Sequence, residues 1–253
     1  MSRESGRWRG LGLPLLVLVS VEVVLRMHPT QSDAIAPPSA VASAMLRASA
    51  DATLLQATAQ TLLATLGGLA LGAGAGLIVG ILLGLSRPAA ARASLLIELL
   101  RPLPSVALIP VALLIFGFGY RLEIAVIAFA VFFPMLLLSL AAIRAVPQRL
   151  MEVCAVLRLS LWARVGKVML PAALPRLFVA LRLCVGIALV VAVTTEIASN
   201  PQGLGFALLS AQQSLAPDLM LAVLTWIGIL GWGANAGLLR LERRWFSVQD
   251  QGQ

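Results

Sequence analysis

The sequence has few of the residues from which catalytic and metal sites are usually built. Charged residues make up 12% of its 253 residues, and it contains one histidine, His28, and two cysteines, Cys154 and Cys184, without CxxC spacing. We therefore expect no metal site and no disulfide framework. No GxxxxGK[ST] motif occurs, so we predict no nucleotide-binding domain and no cofactor in this chain.

Apolar residues are abundant instead, at 60% of the chain, against roughly 45–50% in soluble domains. The excess is expected to face lipid, because a soluble core of this size cannot bury it. The net charge of +8 could suggest nucleic acid, but the basic residues lie between apolar runs rather than on one soluble face. We predict an all-α, polytopic membrane helix bundle that forms a single domain over 1–253 and binds no nucleic acid.

Long apolar runs predict about six transmembrane helices, since roughly 20 apolar residues cross a hydrocarbon core. The runs lie at 11–27, 61–85, 103–117, 122–143, 177–199 and 218–239. The third is short, contains Pro104 and Pro110 and ends in FGFG, so we expect a broken span supported by neighbouring helices. The first run also resembles a signal peptide, and its cleavage would leave five spans. Segment 28–60 is expected to form an external loop and a short amphipathic helix.

The basic residues are distributed unevenly along the chain. Of the 19 lysines and arginines, 16 precede the first span, follow the last, or lie after the second span and around the loop between the fourth and fifth. Short cytoplasmic loops retain positive charge. We therefore expect both termini on the cytoplasmic side.

Glycines recur at every fourth position of the second predicted span. They are Gly68, Gly72, Gly76, Gly80 and Gly84. This spacing places them on one face of a helix as a ridge without side chains. Another helix can approach such a ridge closely, so we predict that the glycines serve helix packing inside the bundle.

The stretch 144–176 is basic and too polar to enter lipid, and we predict two short helices there. Glu152–Leu157 fits the first helix. Ser160 can cap the start of a second helix that runs toward Met169 and ends at Leu170–Pro171.

Apolar side chains on these two helices are available for burial. They are Val153, Cys154, Leu157, Trp162 and Val165. A protruding apolar face is suited to docking into a groove on a soluble partner. An ordinary surface loop packed on its own bundle would also fit the pattern.

The segment EVCAVLRLSLWARVGKVMLP resembles the EAA loop of permeases of binding-protein-dependent ABC transporters, whose pattern is Glu-Ala-Ala, three residues, Gly, nine residues, Ile, any residue, Leu-Pro. The residues in register are Glu152, Val168, Leu170 and Pro171. Val153 and Cys154 replace the alanines, and Arg158 stands at the glycine position. If that position is left-handed, arginine there costs about 1–2 kcal/mol. The resemblance implies a loop that couples the chain to an ATPase through Glu152, Cys154, Ala155, Leu157, Arg158, Ser160, Val168, Leu170 and Pro171.

The resemblance covers about 55–245. RPLPSVALIPVALLIFGFG, FFPMLLLSLAAIRAVP and TTEIASNPQGLGFALLSA resemble segments of the nitrate, sulfonate and taurine branch. It implies a homodimeric permease in the bacterial cytoplasmic (inner) membrane, with cytoplasmic ATP-binding subunits that bind the ATP and an external or periplasmic solute-binding protein. By resemblance alone, a sulfonate, taurine or nitrate-like anion is the expected solute.

Glu196 lies near the outer end of the fifth predicted span, where an ionisable group is a candidate for function. With Pro104 and Pro110 it is predicted to border the translocation path. Because a carboxylate would repel an anionic substrate, a structural hydrogen bond or a cationic partner for Glu196 is an equally good interpretation.

Three other functions are weighed against this prediction. A permease of another substrate branch, for instance for a thiamine precursor, differs only weakly in its motifs. A self-contained secondary transporter predicts inverted repeats and needs no docking loop, and no clear repeat is present. An intramembrane enzyme needs a converging nucleophile, base or metal ligands. The sequence offers no such set, so we expect no catalytic residue.

Overall fold

The computed structural model describes residues 5–27 and 35–246, with side chains at 12–27 and 35–244, and every regular element in these ranges is helical. The helices are α1 (Ser5–Met27), α2 (Pro38–Ala50), α3 (Thr53–Leu85), α4 (Arg87–Leu100), a 3-10 turn (Ser105–Leu108), α5 (Ile109–Phe116), α6 (Tyr120–Arg144), α7 (Gln148–Val156), α8 (Leu161–Arg164), a π-helical turn (Val165–Met169), α9 (Leu170–Ser199), α10 (Gly203–Gln213) and α11 (Pro217–Phe246). The predicted all-α class is confirmed. His28 lies outside the described residues.

Among the described residues, four stretches are long and apolar enough to cross a bilayer. They are Thr53–Leu85, Tyr120–Arg144, Leu161–Ser199 and Pro217–Arg244. A fifth span exists if α4 and the helical segment Ser105–Phe116, which are bent by 77°, cross together. The first predicted span falls in α1, part of which lies outside the described side chains. The predicted count of about six is therefore approximate.

The third predicted span is broken, as its prolines indicate. Pro104 precedes the 3-10 turn and Pro110 is the second residue of α5, where a missing N–H leaves no intrahelical hydrogen bond unmade. The chain turns between α4 and the 3-10 turn, so α4 points away from the line of α5. Segment 28–60 contains the expected short helix as α2, but the second span begins at Thr53, earlier than predicted.

The core lies between α3, α6 and α9. Its largest fully buried side chains include Leu122, Ile127, Leu136 and Ile143, all on α6. A second layer joins α2, α3, α10 and α11 around Leu204, which is 0% exposed. Thus α6 is the central helix against which the other spans are arranged.

The glycine ridge of α3 faces α6 along its length. A Cβ built on Gly76 or Gly80 would lie 2.5 Å from a backbone carbonyl oxygen of α6, and one on Gly84 would lie 2.9 Å from the Ile143 Cβ. Gly68 meets Ile127, and Gly72 meets the Ala128 backbone, in the same way. Two helices in such close contact leave no room for side chains between them.

The second helix of 144–176 does not end at Leu170–Pro171, and that prediction is wrong. The helix continues through the π-helical turn into α9, so one stretch runs from Leu161 to Ser199. In the turn the Leu170 N–H bonds the carbonyl of Val165, five residues earlier. The spacing of the backbone hydrogen bonds is thus already widened just before Pro171. The missing N–H of this proline is therefore tolerated in the first turn of α9.

Candidate functional sites: an exposed helical elbow and a buried carboxylate cluster

Helices α7 and α8 meet at a sharp turn, which we call the elbow (148–164). The Arg158 N–H bonds the Ala155 carbonyl at 3.1 Å, and the Leu159 N–H bonds the Cys154 carbonyl at 3.0 Å. These two bonds are the Schellman pattern, in which the residue after the helix end is left-handed. Arg158 has φ of 47° and occupies that position. A residue with a Cβ therefore adopts the conformation that the family glycine would favour.

The second helix of the elbow begins with the side-chain cap that the sequence predicts at Ser160. The Ser160 hydroxyl accepts a hydrogen bond from the Ala163 N–H at 3.3 Å. Such a cap stabilises a helix by about 1 kcal/mol. Together with the Schellman closure it fixes the angle between α7 and α8.

The outer face of the elbow is apolar and uncovered in the single chain. Val156 is 82% exposed and Trp162 is 80% exposed. Val153, Leu157 and Leu161 are more than half exposed as well. Several exposed apolar side chains on one short motif are typical of a contact site for another protein.

The inner face of the elbow packs on the bundle. Cys154 is 1% exposed, so it supports the elbow from within and is not part of the outer face. Val165 packs against the cluster that contains Ile143 and Met169. Two of the five apolar residues expected to project are thus turned inward.

The remaining residues of the predicted coupling loop divide between the two faces. Glu152 and Ala155 are exposed, whereas Val168 in the π-helical turn and Leu170 at the start of α9 are half-buried. The Glu152 carboxylate forms no ion pair with the described part of the chain. Its role in contact with an ATPase stays a prediction.

A second site lies at the opposite end of α9, where the first turn of α10 is capped by three other side chains. The N–H groups of Gly203, Leu204 and Gly205 are donors that a helix leaves without intrahelical partners. They bond Gln60 Oε1 at 3.0 Å, Thr61 Oγ1 at 2.9 Å and Glu196 Oε2 at 2.7 Å, respectively. Side chains of α3 and α9 therefore fix where α10 begins.

Glycine is required at the start of α10 on two grounds. Gly203 has φ of 86°, and a Cβ there would collide with the Glu196 carboxylate. Glu196 is 1% exposed. Of the interpretations left open for this residue, the structure shows a structural hydrogen bond, although a cavity of about 310 Å³ adjoins the residue.

Glu123 and Asn200 complete the cluster and were not singled out by sequence analysis. The Asn200 side chain donates to Glu123 Oε1 and accepts from the Gly119 N–H at 2.9 Å. Glu123 is 1% exposed and Asn200 is 3% exposed. These two bonds tie α6 and the loop before it to the loop after α9. A carboxylate in the first turn of a helix looks unremarkable in sequence, because its partner lies 77 residues away.

One oxygen of each carboxylate, Glu123 Oε2 and Glu196 Oε1, is buried without a hydrogen-bond partner in the described part of the chain. Among the described residues, no cation forms an ion pair with either group. The cluster therefore resembles a packed joint between helices rather than a site open to an anion. The prediction that Pro104, Pro110 and Glu196 border a path is not tested by this geometry.

Comparison with known proteins identifies a family and two relatives. A family model described as "Binding-protein-dependent transport system inner membrane component" matches residues 72–245. The putative aliphatic sulfonates transport permease protein SsuC of Bacillus subtilis is 33% identical over 177 residues, 70% of this chain and 64% of that protein. The taurine transport system permease protein TauC of Escherichia coli is 34% identical over 194 residues, 77% of this chain and 70% of that protein. The matched stretches thus span about two thirds of these relatives.

A similar fold occurs in a solved structure of the MetNI methionine ABC transporter in an inward-facing conformation. The TM-score is 0.63 and the sequence identity 22%, over 76% of this chain and 93% of that chain. At this identity the likeness concerns the fold alone.

Proposed function

The chain belongs to the family of inner membrane components of binding-protein-dependent transport systems, as an ABC permease of the nitrate, sulfonate and taurine branch, and from that premise we propose that it forms the translocation path of an ATP-driven importer for a small anion. It works as a homodimer with two cytoplasmic ATP-binding subunits and an external or periplasmic solute-binding protein. ATP is bound and hydrolysed by the partner subunits. This chain supplies the path and the mechanical contact.

The observation that carries this proposal is the exposed, capped elbow. ATP hydrolysis in a partner must move the spans, so a rigid element has to transmit the displacement. The elbow is rigid because hydrogen bonds close its turn and cap the start of α8, and it continues into α9 without a break. A displacement of Trp162 is therefore transmitted directly to a membrane-spanning helix.

The same arrangement supports the proposed topology. The elbow lies in the most basic segment of the chain, and basic loops are retained in the cytoplasm. Both termini are then cytoplasmic, and the capped start of α10 faces outward. Cysteines introduced near Arg149 and Arg243 would react only with reagents that enter the cell.

The proposed solute follows from the relatives. Two of them are named as permeases for aliphatic sulfonates and for taurine, and these compounds share a sulfonate group on a short organic chain. We extend that chemistry to this chain as a sulfonate, taurine or nitrate-like anion. Growth of a deletion strain on each compound as sole sulfur or nitrogen source tests the choice, and unchanged uptake of all of them would reject it.

The contact is tested by replacing the exposed tryptophan of the elbow. Trp162→Ala should weaken binding of the ATP-binding subunit about tenfold, because a lost apolar anchor costs about 1–3 kcal/mol. Trp232→Ala is the matched control, since Trp232 is 70% exposed on α11 and lies outside the elbow. Affinity is measured by co-purification and by titration of the solubilised permease. Equal affinities for the two variants would contradict the docking role.

A further inference from the structure

A continuous groove follows α9 between α6, α11 and the segment around Pro104. Two cavities of about 440 and 730 Å³ form it. They share the wall residues Leu138, Leu183, Ile187 and Val191. Sites for small molecules typically measure about 300–1,000 Å³, so either cavity is large enough for a short organic anion.

The charged residues of the groove are both arginines. Arg101, which is exposed, lines the smaller cavity with Leu103 and Ser105, and Arg182, which is half-buried, lines the larger one with Asn235 of α11. Of the residues that the structure describes, no acidic one lines either cavity. Within the described ranges, neither guanidinium group has a hydrogen bond or an ion pair. Two positive charges therefore face the groove without compensation.

A basic residue near the membrane surface can serve topology alone, with its stem on apolar surface and its head in water. Arg176 fits that description, since it is exposed and donates to the Ala145 carbonyl at 3.1 Å. Arg182 differs, because it lies six residues, or about 9 Å, further into α9 and is half-buried beside a cavity. An unpaired charge inside a span is a functional candidate by default.

We propose that Arg101 and Arg182 bind the negatively charged group of the solute within this groove and select anions at that point. A guanidinium group presents a planar fork of donors that suits oxyanions such as sulfonate and nitrate. Phe129 and Phe133 in the same wall offer an apolar surface for an organic chain. The inference rests on the proposed function and deepens it by naming the charge-selecting residues.

The test uses chemical probes of either charge and requires no transport. Cys154 and Cys184, both buried, are first replaced by Ala in the permease–ATPase complex. Ile187→Cys then places one thiol in the groove. Its rates of reaction with the sulfonate-bearing methanethiosulfonate ethylsulfonate and with the trimethylammonium analogue are compared. The anion-to-cation rate ratio should exceed that at Leu114→Cys, where the side chain is 88% exposed on α5 outside the groove.

Removing one charge should then remove the preference. Arg182→Gln is expected to lower the ratio at Ile187→Cys about tenfold, because charged clefts concentrate counter-ions by that order or more. Arg182→Lys should keep most of it. Arg92→Gln, an exposed position on α4 outside the groove, should leave the ratio unchanged. A ratio that is the same with and without Arg182, or a thiol at 187 that fails to react where Leu114→Cys does, would overturn the assignment.

Uptake of taurine and ethanesulfonate into proteoliposomes that contain the complete complex separates this inference from the proposed function. If Arg182→Gln loses the charge preference and shows a higher KM for uptake, both the groove assignment and the proposed function stand. If the preference is absent while uptake is normal, the groove assignment alone fails. If the preference is present and no anion is transported by the unaltered complex, the proposed solute fails while the anion-binding groove remains.

Discussion

Two apolar surfaces of the molecule differ in whether the chain itself buries them: the interface between α3 and α6, and the outer face of the elbow. Along the first, glycines bring two helices so close that no side chain fits between them. Along the second, Val156 and Trp162 remain more than three-quarters exposed although their backbone is rigidly held. The comparison suggests that the chain completes the first surface by itself and leaves the second for a partner. Mutations should then damage folding at the first and association at the second.

The largest effect is expected at Gly72 in the α3–α6 interface. A Cβ there would overlap the Ala128 backbone, which cannot rotate away as a side chain could. Gly72→Ala should therefore lower the stability of the bundle by about 3 kcal/mol, at the upper end of overpacking costs. The thermal midpoint of the solubilised protein, followed by intrinsic fluorescence, measures it.

Gly74→Ala provides the matched control on the same helix. Nothing lies within 4 Å of a Cβ built at Gly74, so the added methyl group meets no neighbour. It should leave stability unchanged or raise it by up to about 1 kcal/mol through helix propensity. Similar thermal midpoints for the two variants would mean that α3 and α6 are not in close contact.

The next largest effect concerns the side chains that cap α10. These polar contacts are buried within the chain, like the α3–α6 interface. Glu196→Ala leaves the Gly205 N–H without its acceptor and should cost about 1–3 kcal/mol. Glu196→Gln keeps an acceptor oxygen while removing the charge, so its thermal midpoint should stay close to that of the unaltered protein. Uptake lost in Glu196→Gln at normal stability would instead assign the charge a role in transport.

Features that depend on local spacing could be predicted from the sequence. The four-residue glycine period determines a helix face, and Ser160 before an apolar run determines a cap. The prolines at 104 and 110 likewise indicate a break, because proline restricts where a helix can continue. These signals lie within a few residues of the structure that they specify.

Features that depend on distant contacts could not be predicted. The bond of Asn200 to Glu123 joins α6 to the loop after α9, and no local pattern marks either residue. The inward turn of Cys154 and Val165 follows from how the elbow lies on the bundle. The π-helical turn before Pro171 was missed because proline usually ends a helix, whereas here the widened turn accommodates it.

At the elbow, changes should affect association while the bundle stays folded. Glu152→Lys reverses an exposed charge that has no partner within the described chain, and deletion of 158–163 removes the turn itself. Both should abolish substrate-stimulated ATP hydrolysis, and both should leave membrane insertion and the thermal midpoint of the spans nearly unchanged. Normal ATP hydrolysis in both variants would show that the elbow is an ordinary surface loop.

Arg158→Gly should give the smallest effect. The sign of the change in stability tests whether the turn of the elbow carries backbone strain that serves contact with a partner. Arginine at φ of 47° is disfavoured by about 1–2 kcal/mol relative to a right-handed residue. Glycine removes that strain but adds freedom to the unfolded chain, which offsets about 0.5–1 kcal/mol. We therefore expect a net gain in stability of about 0.5–1 kcal/mol, with ATPase affinity preserved or improved, because the hydrogen bonds that close the turn use only backbone atoms. Denaturant titration and the affinity assay used for Trp162→Ala measure the two quantities. A variant that is more stable yet loses the ATPase would show that the Arg158 side chain itself contacts the partner, and the exposed apolar face alone would then be insufficient for docking.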